Sequence, residues 1–133
     1  MDKKDVLIRP ARHGDWKQIK RLIKLFPTQL MQTHLPRIGE FFVASDKEGN
    51  LVGCCALEVY SRRIAEIRSL VVAPDWQDKG LGTALIRECI KLAKKKRILE
   101  LFAITGKVKL FEKFEFYPFS SEKYAVIRIM RKA

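Results

Sequence analysis

The stretch "SLVVAPDWQDKGLGTALIRECI", Ser69 to Ile90, limits what this chain can fold into more than any other. An apolar run enters a turn holding two glycines spaced by one residue, and a helical pattern follows. Such a strand–turn–helix junction is an anion site, because first-turn N–H groups have no intrahelical partner and the helix dipole presents its positive end there. Gly80 and Gly82 let a phosphate approach the backbone without meeting a Cβ. A Walker-type loop is excluded, since Thr83 follows Gly82 with no lysine between them. A dinucleotide fingerprint lacks its third glycine, Leu85 standing in that place, although Glu100 lies at a distance suited to a ribose contact.

The 133 residues suffice for one domain around one core, so residues 1–133 are expected to form a single domain. Apolar residues make up 47% and no run approaches a membrane span. The start, "MDKKDVLIRP", shows no apolar signal region, which makes the cytoplasm the expected compartment. Cys54, Cys55 and Cys89 have no metal spacing and read as small core residues, the adjacent pair pointing to opposite faces of a strand; no metal is expected. A formal charge of +12 points to an anionic partner: a nucleotide cofactor, a nucleic acid or an acidic surface. No aromatic-basic signature of a nucleic-acid module accompanies it, so nucleic acid is not the expected partner.

"DVLIRP" reads as a first strand. "GDWKQIKRLIKLFP" reads as a helix with Asp15 as N-cap, an apolar stripe of Trp16, Ile19, Leu22, Ile23 and Phe26, and Pro27 as its stop. Residues 28–39 predict a short helix and loop. "FFVAS", "DKEGN" and "LVGCCALEVY" form a hairpin, and "SRR" leads into "IAEIRSLVV", giving an antiparallel meander. Leu81, Leu85, Cys89 and Leu92 share one face of the next helix. "ILELFAI" is a strand, "GKVKLFEKF" a short helix with Thr105 as N-cap, and "KYAVIRIMR" a last strand. The order βα(α)βββαβαβ predicts an α/β (α+β) fold, a mixed sheet flanked by helices.

"QDKGLG", Gln77 to Gly82, matches at every defined position the Gln/Arg-x-x-Gly-x-Gly/Ala turn of the GNAT superfamily of N-acetyltransferases. "IRSLVVAPDWQ" resembles that family's fourth strand and its entry to the turn, and "LFEKFEF" its late helix–strand signature. The resemblance spans about Leu7 to Phe119. Within the superfamily, "VGCCALEVY", "AEIRSLVVAPDWQDKGLGTALI" and "LFAITGKVKLFEKFEF" are most similar to the acetyltransferase domain of bacterial amino-acid N-acetyltransferases, the N-acetylglutamate synthase group. The basic Leu-Pro-Arg-Ser segment often found there is replaced by "FPTQL", Phe26 to Leu30.

The resemblance implies a mixed, mostly antiparallel twisted sheet and a ternary complex in which a substrate amine attacks the thioester of acetyl-CoA directly. It implies that Asp78, Lys79, Gly80, Leu81, Gly82 and Thr83, with Gln77, hold the pyrophosphate, and that Leu70, Val71 and Val72 lie along the pantetheine arm, Val71 and Val72 pairing with it. The amine must lose a proton before it attacks. Glu66 matches the catalytic glutamate of some protein-acetylating members and is the expected base, with an ion pair to Arg68 as the structural alternative. Glu58 is the second choice. The late-helix tyrosine that many relatives use as general acid is Phe111 here, and Glu115 replaces the usual glycine, leaving a water or Tyr117 as the candidate acid, or a thiolate that departs without one. Arg68, Arg128 and Arg131 suit substrate carboxylates, and Lys94 to Arg97 suit the 3'-phosphate of the cofactor. The expected activity is acetylation of a primary amine of a small molecule or amino acid, with a protein or peptide N-acetyltransferase and a silent acyl-CoA binding module as alternatives. No membrane partner is expected, and a homodimer is compatible with the sequence.

Overall fold

The computed structural model describes residues 5–118 together with Val126, Arg128 and Met130. Five strands form one sheet in chain order: β1 (Leu7–Pro10), β2 (Phe41–Ser45), β3 (Leu51–Val59), β4 (Ile64–Val72) and β5 (Glu100–Ala103). Among the first four each neighbouring pair is antiparallel, as the two predicted tight connections require for β2 to β4, and β5 joins β4 in parallel after a helical crossover. The helices are α1 (Trp16–Lys24), α2 (Leu81–Lys95) and α3 (Val108–Glu112). None of the described helices is long and apolar enough to cross a membrane. The predicted last strand, 123–131, lies outside the described residues apart from Val126, Arg128 and Met130, all three exposed; Arg131 lies outside them as well.

The connections form where side chains replace missing backbone partners. Between β2 and β3 the Asp46 carboxylate accepts from the N–H groups of Glu48 and Asn50, at 3.0 and 2.9 Å, while Gly49 takes the left-handed φ of +88°. Between β3 and β4 the Ser61 hydroxyl accepts from Arg63 and Ile64. Residues 28–39 contain no α-helix, contrary to expectation; a single 3-10 turn at Ile38–Glu40 precedes β2. Asp15 stands at the N-cap position of α1, yet its carboxylate turns back to the Arg12 N–H at 2.7 Å and to the Arg9 guanidinium at 2.7 and 3.0 Å. It therefore ties the end of β1 to the start of α1. Thr105 is not the cap of α3 either: its hydroxyl accepts from Lys107 N–H, and Lys107 holds the N-cap position.

The sheet buries a separate core on each face. On one side α1 lays Ile19, Leu22 and Ile23 against Phe41, Val43, Cys54, Ala56 and Val71. On the other, α2 lays Leu81, Leu85, Ile86, Cys89 and Ala93 against Ala44, Cys55, Leu57, Ala65 and Ile67, with Phe111 from α3. Each of the large aliphatic side chains contributes about 1.5–3 kcal/mol by leaving water. Cys54 and Cys55 enter opposite cores, as period-two alternation predicts, and the Cys55 and Cys89 sulfurs lie 3.7 Å apart. Burial pushes the Cys54 thiol well above its usual range, which suits a packing role.

Gly53 on β3 has a packing reason. A Cβ there would stand 2.9 Å from the Val71 carbonyl oxygen and 3.2 Å from Leu85 Cδ1, so neither the sheet nor α2 has room for it. Gly53→Ala is expected to lower unfolding free energy by about 2 kcal/mol in urea titration, through overpacking. An unchanged midpoint would show that β4 yields at this point.

Candidate active site

Side chains of β4 alternate regularly until Arg68, with Ala65 and Ile67 entering the α2-side core and Glu66 and Arg68 turned to the α1 side. Then the register slips: Arg68 faces Ala56 and Val71 faces Cys54, leaving Cys55 alone opposite Ser69 and Leu70. Ser69 takes φ +58° to make this bulge. Beyond it the parity is exchanged, so Val71 enters the α1-side core and Leu70 and Val72 pack toward α2.

β5 accompanies β4 only from Ile64 to Ile67, opposite Glu100 to Ala103. From Arg68 to Val72, β4 has no strand on that side among the described residues. Ala73 N–H bonds to Val52 O at 2.8 Å, so alternation turns the main-chain groups of Val71 toward β3 and those of Leu70 and Val72 toward the open edge. Of Val71 and Val72, expected to pair with the arm, the main-chain groups facing the open edge are those of Val72, together with those of Leu70. Gln77 closes the end of this edge, its Nε2 donating to Val72 O at 3.0 Å.

The glycine turn follows. Asp78 adopts φ +62° and Gly80, the N-cap of α2, φ +83°. None of the N–H groups of Asp78, Lys79, Gly80, Leu81, Gly82 and Thr83 meets a protein acceptor among the described residues; the first bond of the helix runs from Ala84 N–H to Gly80 O at 3.1 Å. Six donors at one helix end, beside an open strand edge, fit a pyrophosphate and an amide-bearing arm. The two glycines differ in purpose. Gly80 needs its left-handed backbone, whereas a Cβ on Gly82 would make only ordinary contacts, 3.7 Å to Leu110 and 3.9 Å to Val72. Lys94 to Arg97 stand at the opposite end of α2, about 20 Å along the axis at 1.5 Å per residue, and do not share this site.

On the α1-side face of β3 and β4 a polar cluster lies just before the bulge. Glu58 and Glu66 are directly opposite one another across the two strands. Arg68 Nη1 donates to Glu58 Oε1 at 2.5 Å, and its Nη2 donates to the His34 carbonyl at 3.0 Å. The alternative of an ion pair of Glu66 with Arg68 is therefore replaced by a diagonal pair of Arg68 with Glu58. Glu66 instead accepts from the Tyr60 hydroxyl at 2.5 Å, and Tyr60 stacks on Phe102 of β5 with ring centroids 6.2 Å apart. Burial, then the Glu66 hydrogen bond, pushes the Tyr60 phenol well above its usual range, so it stays a donor. Burial works against the Arg68 charge, and the bond and charge of Glu58 outweigh it, with Glu66 adding to them. Tyr60 was not among the residues singled out from sequence. Its signal was present, since it sits two residues past Glu58 and period two puts both on one face.

The remaining expectations separate from this cluster. Tyr117 is 81% exposed, and its neighbour Phe116 packs into the α2-side core, on the sheet face away from Glu66. Phe111 is buried edge-on to Phe116, at 5.2 Å between centroids. Glu115 adopts φ +67°, a conformation natural to the glycine it replaces. Arg128 is exposed, and no contact among the described residues brings it to the cluster.

Residues 11–116 match the Acetyltransferase (GNAT) family. The chain belongs to that family. It is 28% identical over 126 residues to an uncharacterized N-acetyltransferase of Chlorobaculum tepidum, covering 90% of this chain and 81% of that protein. It is 28% identical over 117 residues to the amino-acid acetyltransferase of Mycobacterium tuberculosis, covering 83% and 67%. A crystal structure of a Mycobacterium tuberculosis protein in complex with CoA and NLQ superposes with a TM-score of 0.81 at 26% identity, over 90% of this chain and 76% of that one. N-acetylglutamate synthase of Neisseria gonorrhoeae, complexed with coenzyme A and N-acetyl-glutamate, superposes with a TM-score of 0.71 at 32% identity. That match covers 83% of this chain but only 27% of the synthase. The chain is thus an acetyl-CoA dependent N-acetyltransferase of GNAT type, with the mixed sheet and flanking helices of that fold.

The two glycines give an immediate test. Gly80→Ala is expected to cost about 1–2 kcal/mol in urea unfolding, the penalty of a left-handed alanine, whereas Gly82→Ala should leave stability unchanged or slightly raised. Equal losses at both positions would contradict the backbone assignment.

Proposed function

We propose that this GNAT enzyme acetylates the primary amine of a small molecule or amino acid, and that Glu66 takes the proton the amine must lose. One observation carries the assignment of the base. Of two carboxylates set opposite each other on β3 and β4, Glu58 is engaged by a guanidinium at 2.5 Å, while Glu66 holds only a neutral phenol. Glu66 therefore has no cation bonded to it and keeps free lone pairs with which to attract an ammonium and accept its proton.

The relatives named as amino-acid acetyltransferases support an amino acid or a similar small amine. Bound acetyl-CoA would supply an acetyl group already activated as a thioester. The chain's own residues have the other tasks. The N–H groups from Asp78 to Thr83 bind the pyrophosphate, Leu70 and Val72 orient the arm along the open edge of β4, and Gln77 fixes the end of that edge. Glu66, before the bulge on the same strand, holds and deprotonates the amine. A general acid is not assigned, since the side chain at the late-helix position is the buried Phe111 and Tyr117 stands apart. A thiol leaving group with a pKa near about 8.5 departs without strong acid help.

Calorimetry should show saturable binding of acetyl-CoA and none of NAD. Thiol release from acetyl-CoA, followed over a panel of amino acids, polyamines and peptides, identifies the acceptor class; release with none of them would favour a silent binding module. Glu66→Gln is expected to lower kcat/KM at pH 7 about hundredfold, the usual contribution of a general base. The deficit should shrink as pH rises and the amine loses its proton unaided, with acetyl-CoA affinity unchanged. Wild-type rates across pH would remove Glu66 from the reaction.

A further inference from the structure

Arg68 is the only described cation among the contacts of this cluster, and both ends of its guanidinium fork are committed within the protein. Nη1 is held by Glu58, and Nη2 by the main-chain carbonyl of His34, 34 residues away in the connection between α1 and β2. The Arg68 side chain is 15% exposed. A carboxylate of a substrate would have to displace one of these partners, and displacing Glu58 would leave a partly buried carboxylate unpaired.

The segment that ends at His34 is anchored at its other end as well. The Gln32 amide reaches the carbonyls of Ile23, Phe26 and Leu30, at 3.1, 3.3 and 3.1 Å, folding the connection back over the C-terminus of α1. His34 itself takes φ +55°, left-handed for a residue with a side chain. Such a conformation persists where the surroundings hold it, and the guanidinium on its carbonyl is the contact that does so. Two residues apart, Gln32 ties the segment to α1 and His34 ties it to β4. Residues 31–34 are exposed, and they border the face on which Glu66 lies.

Resting on the acetyltransferase reading above, we propose that Arg68 is a positioning residue rather than a carboxylate ligand. It latches the 31–35 segment to the reaction strand as one wall of the amine site, and by neutralising Glu58 it leaves Glu66 as the carboxylate that receives the proton. The groups facing Glu66 are Tyr60, Glu58 and Arg68; the Arg63–Glu100 pair lies toward the start of β5 on the same face, and His34 contributes its carbonyl from the loop. A neutral Tyr60 aims Glu66 without removing its charge. With Arg68 absent, two carboxylates directly opposite one another would repel, and a proton shared between them would no longer be opposed by a guanidinium.

Arg68→Gln and Arg68→Lys in the full chain test this. The substrates are the best amino acid from the thiol-release panel and its decarboxylated counterpart, which differ only in the carboxylate. A latch predicts that Arg68→Gln lowers kcat/KM about tenfold for both members alike and moves the acidic limb of the pH profile upward by about half a unit. Arg68→Lys keeps the charge but cannot bridge Glu58 and His34, so the limb should stay in place while KM rises for both members. A loss confined to the carboxylate-bearing member would overturn the proposal and make Arg68 a substrate ligand. A readout independent of turnover separates this from failure of the acetyltransferase reading. Backbone 15N order parameters of residues 31–35 should fall from the rigid range near 0.85 toward 0.6 in both variants. If no amine is acetylated, the enzymatic reading fails while the order parameters still decide the latch, and unchanged values in Arg68→Lys, the variant that keeps a cation beside the carboxylates, overturn it.

Discussion

The arrangement depends on one bulge. Ser69, with φ +58°, inserts an extra residue into β4 opposite Cys55, and this reverses which side of the sheet each later side chain faces. Without it Val71 would follow Ile67 into the α2-side core. With it, Glu66 and Arg68 stay on the α1 face, Val71 fills that same core further along, and Leu70 and Val72 turn their main chains to an unpaired edge. Bulges bend the strand that carries them, and the pairing of β4 with β5 ends at Ile67, two residues before Ser69. A single strained residue therefore coincides with both the end of pairing between β4 and β5 and the boundary between the carboxylate-bearing face and the edge proposed to hold the coenzyme. Left-handed non-glycine residues are costly, and their persistence at such a position suits a site where shape is held by the surrounding sheet.

Two carboxylates facing each other across paired strands are unfavourable unless something divides their roles. Here Arg68 bonds Glu58, while the Tyr60 hydroxyl, 3.3 Å from Glu58, makes its short bond of 2.5 Å to Glu66, so the two carboxylates differ in their main partner: a cation for Glu58 and a phenol for Glu66. On the proposed reading, this asymmetry turns a repulsive pair into one structural and one reactive carboxylate. It also explains why Arg68 pairs along the diagonal. Arg68 and Glu66 lie two residues apart on the same face, and the diagonal to Glu58 leaves the guanidinium free to reach the His34 carbonyl as well.

What the sequence disclosed follows from how much each feature depends on residue type. The glycine turn was legible because φ +83° at Gly80 needs glycine and an anion site needs donors free of side chains. The cores were legible because burial imposes periods of two and 3.6. The bulge was not, since serine carries no signature of a positive φ, and so the side to which Glu66 points was open until the register was seen. The connection over 28–39 was misread as partly helical because its order comes from Gln32 and from a main-chain carbonyl, neither of which leaves a hydrophobic pattern. Thr105 and Asp15 were read as caps from their type alone, whereas the Asp15 carboxylate serves Arg12, one turn earlier, and the Thr105 hydroxyl serves Lys107, just ahead of α3. The end of α2 closes with Arg97 at φ +59°, and Ile98 N–H bonds to Ala93 O and Arg97 N–H to Lys94 O, so a helix stop normally marked by glycine was carried by a basic run.

The net charge of +12 and the local chemistry point in different directions, and β4 reconciles them. A strongly basic surface raises the encounter rate with a polyanionic coenzyme, while the same field repels an ammonium. From Glu66 to Val72 the strand covers about 20 Å at 3.3 Å per residue, two Debye lengths at 0.1 M salt. The anion-binding turn and the carboxylate cluster are thereby electrically separate sites on one rigid element. On the proposed reading, an ammonium that reaches the cluster meets Glu66 with no cation bonded to it, because Arg68 is committed to Glu58 and the coenzyme's phosphates would be held beyond the bulge. On that reading the distance that keeps the two fields apart is bridged by an extended arm along β4, which makes the edge over Arg68–Val72, unpaired among the described residues, as necessary to the proposed reaction as any charged side chain.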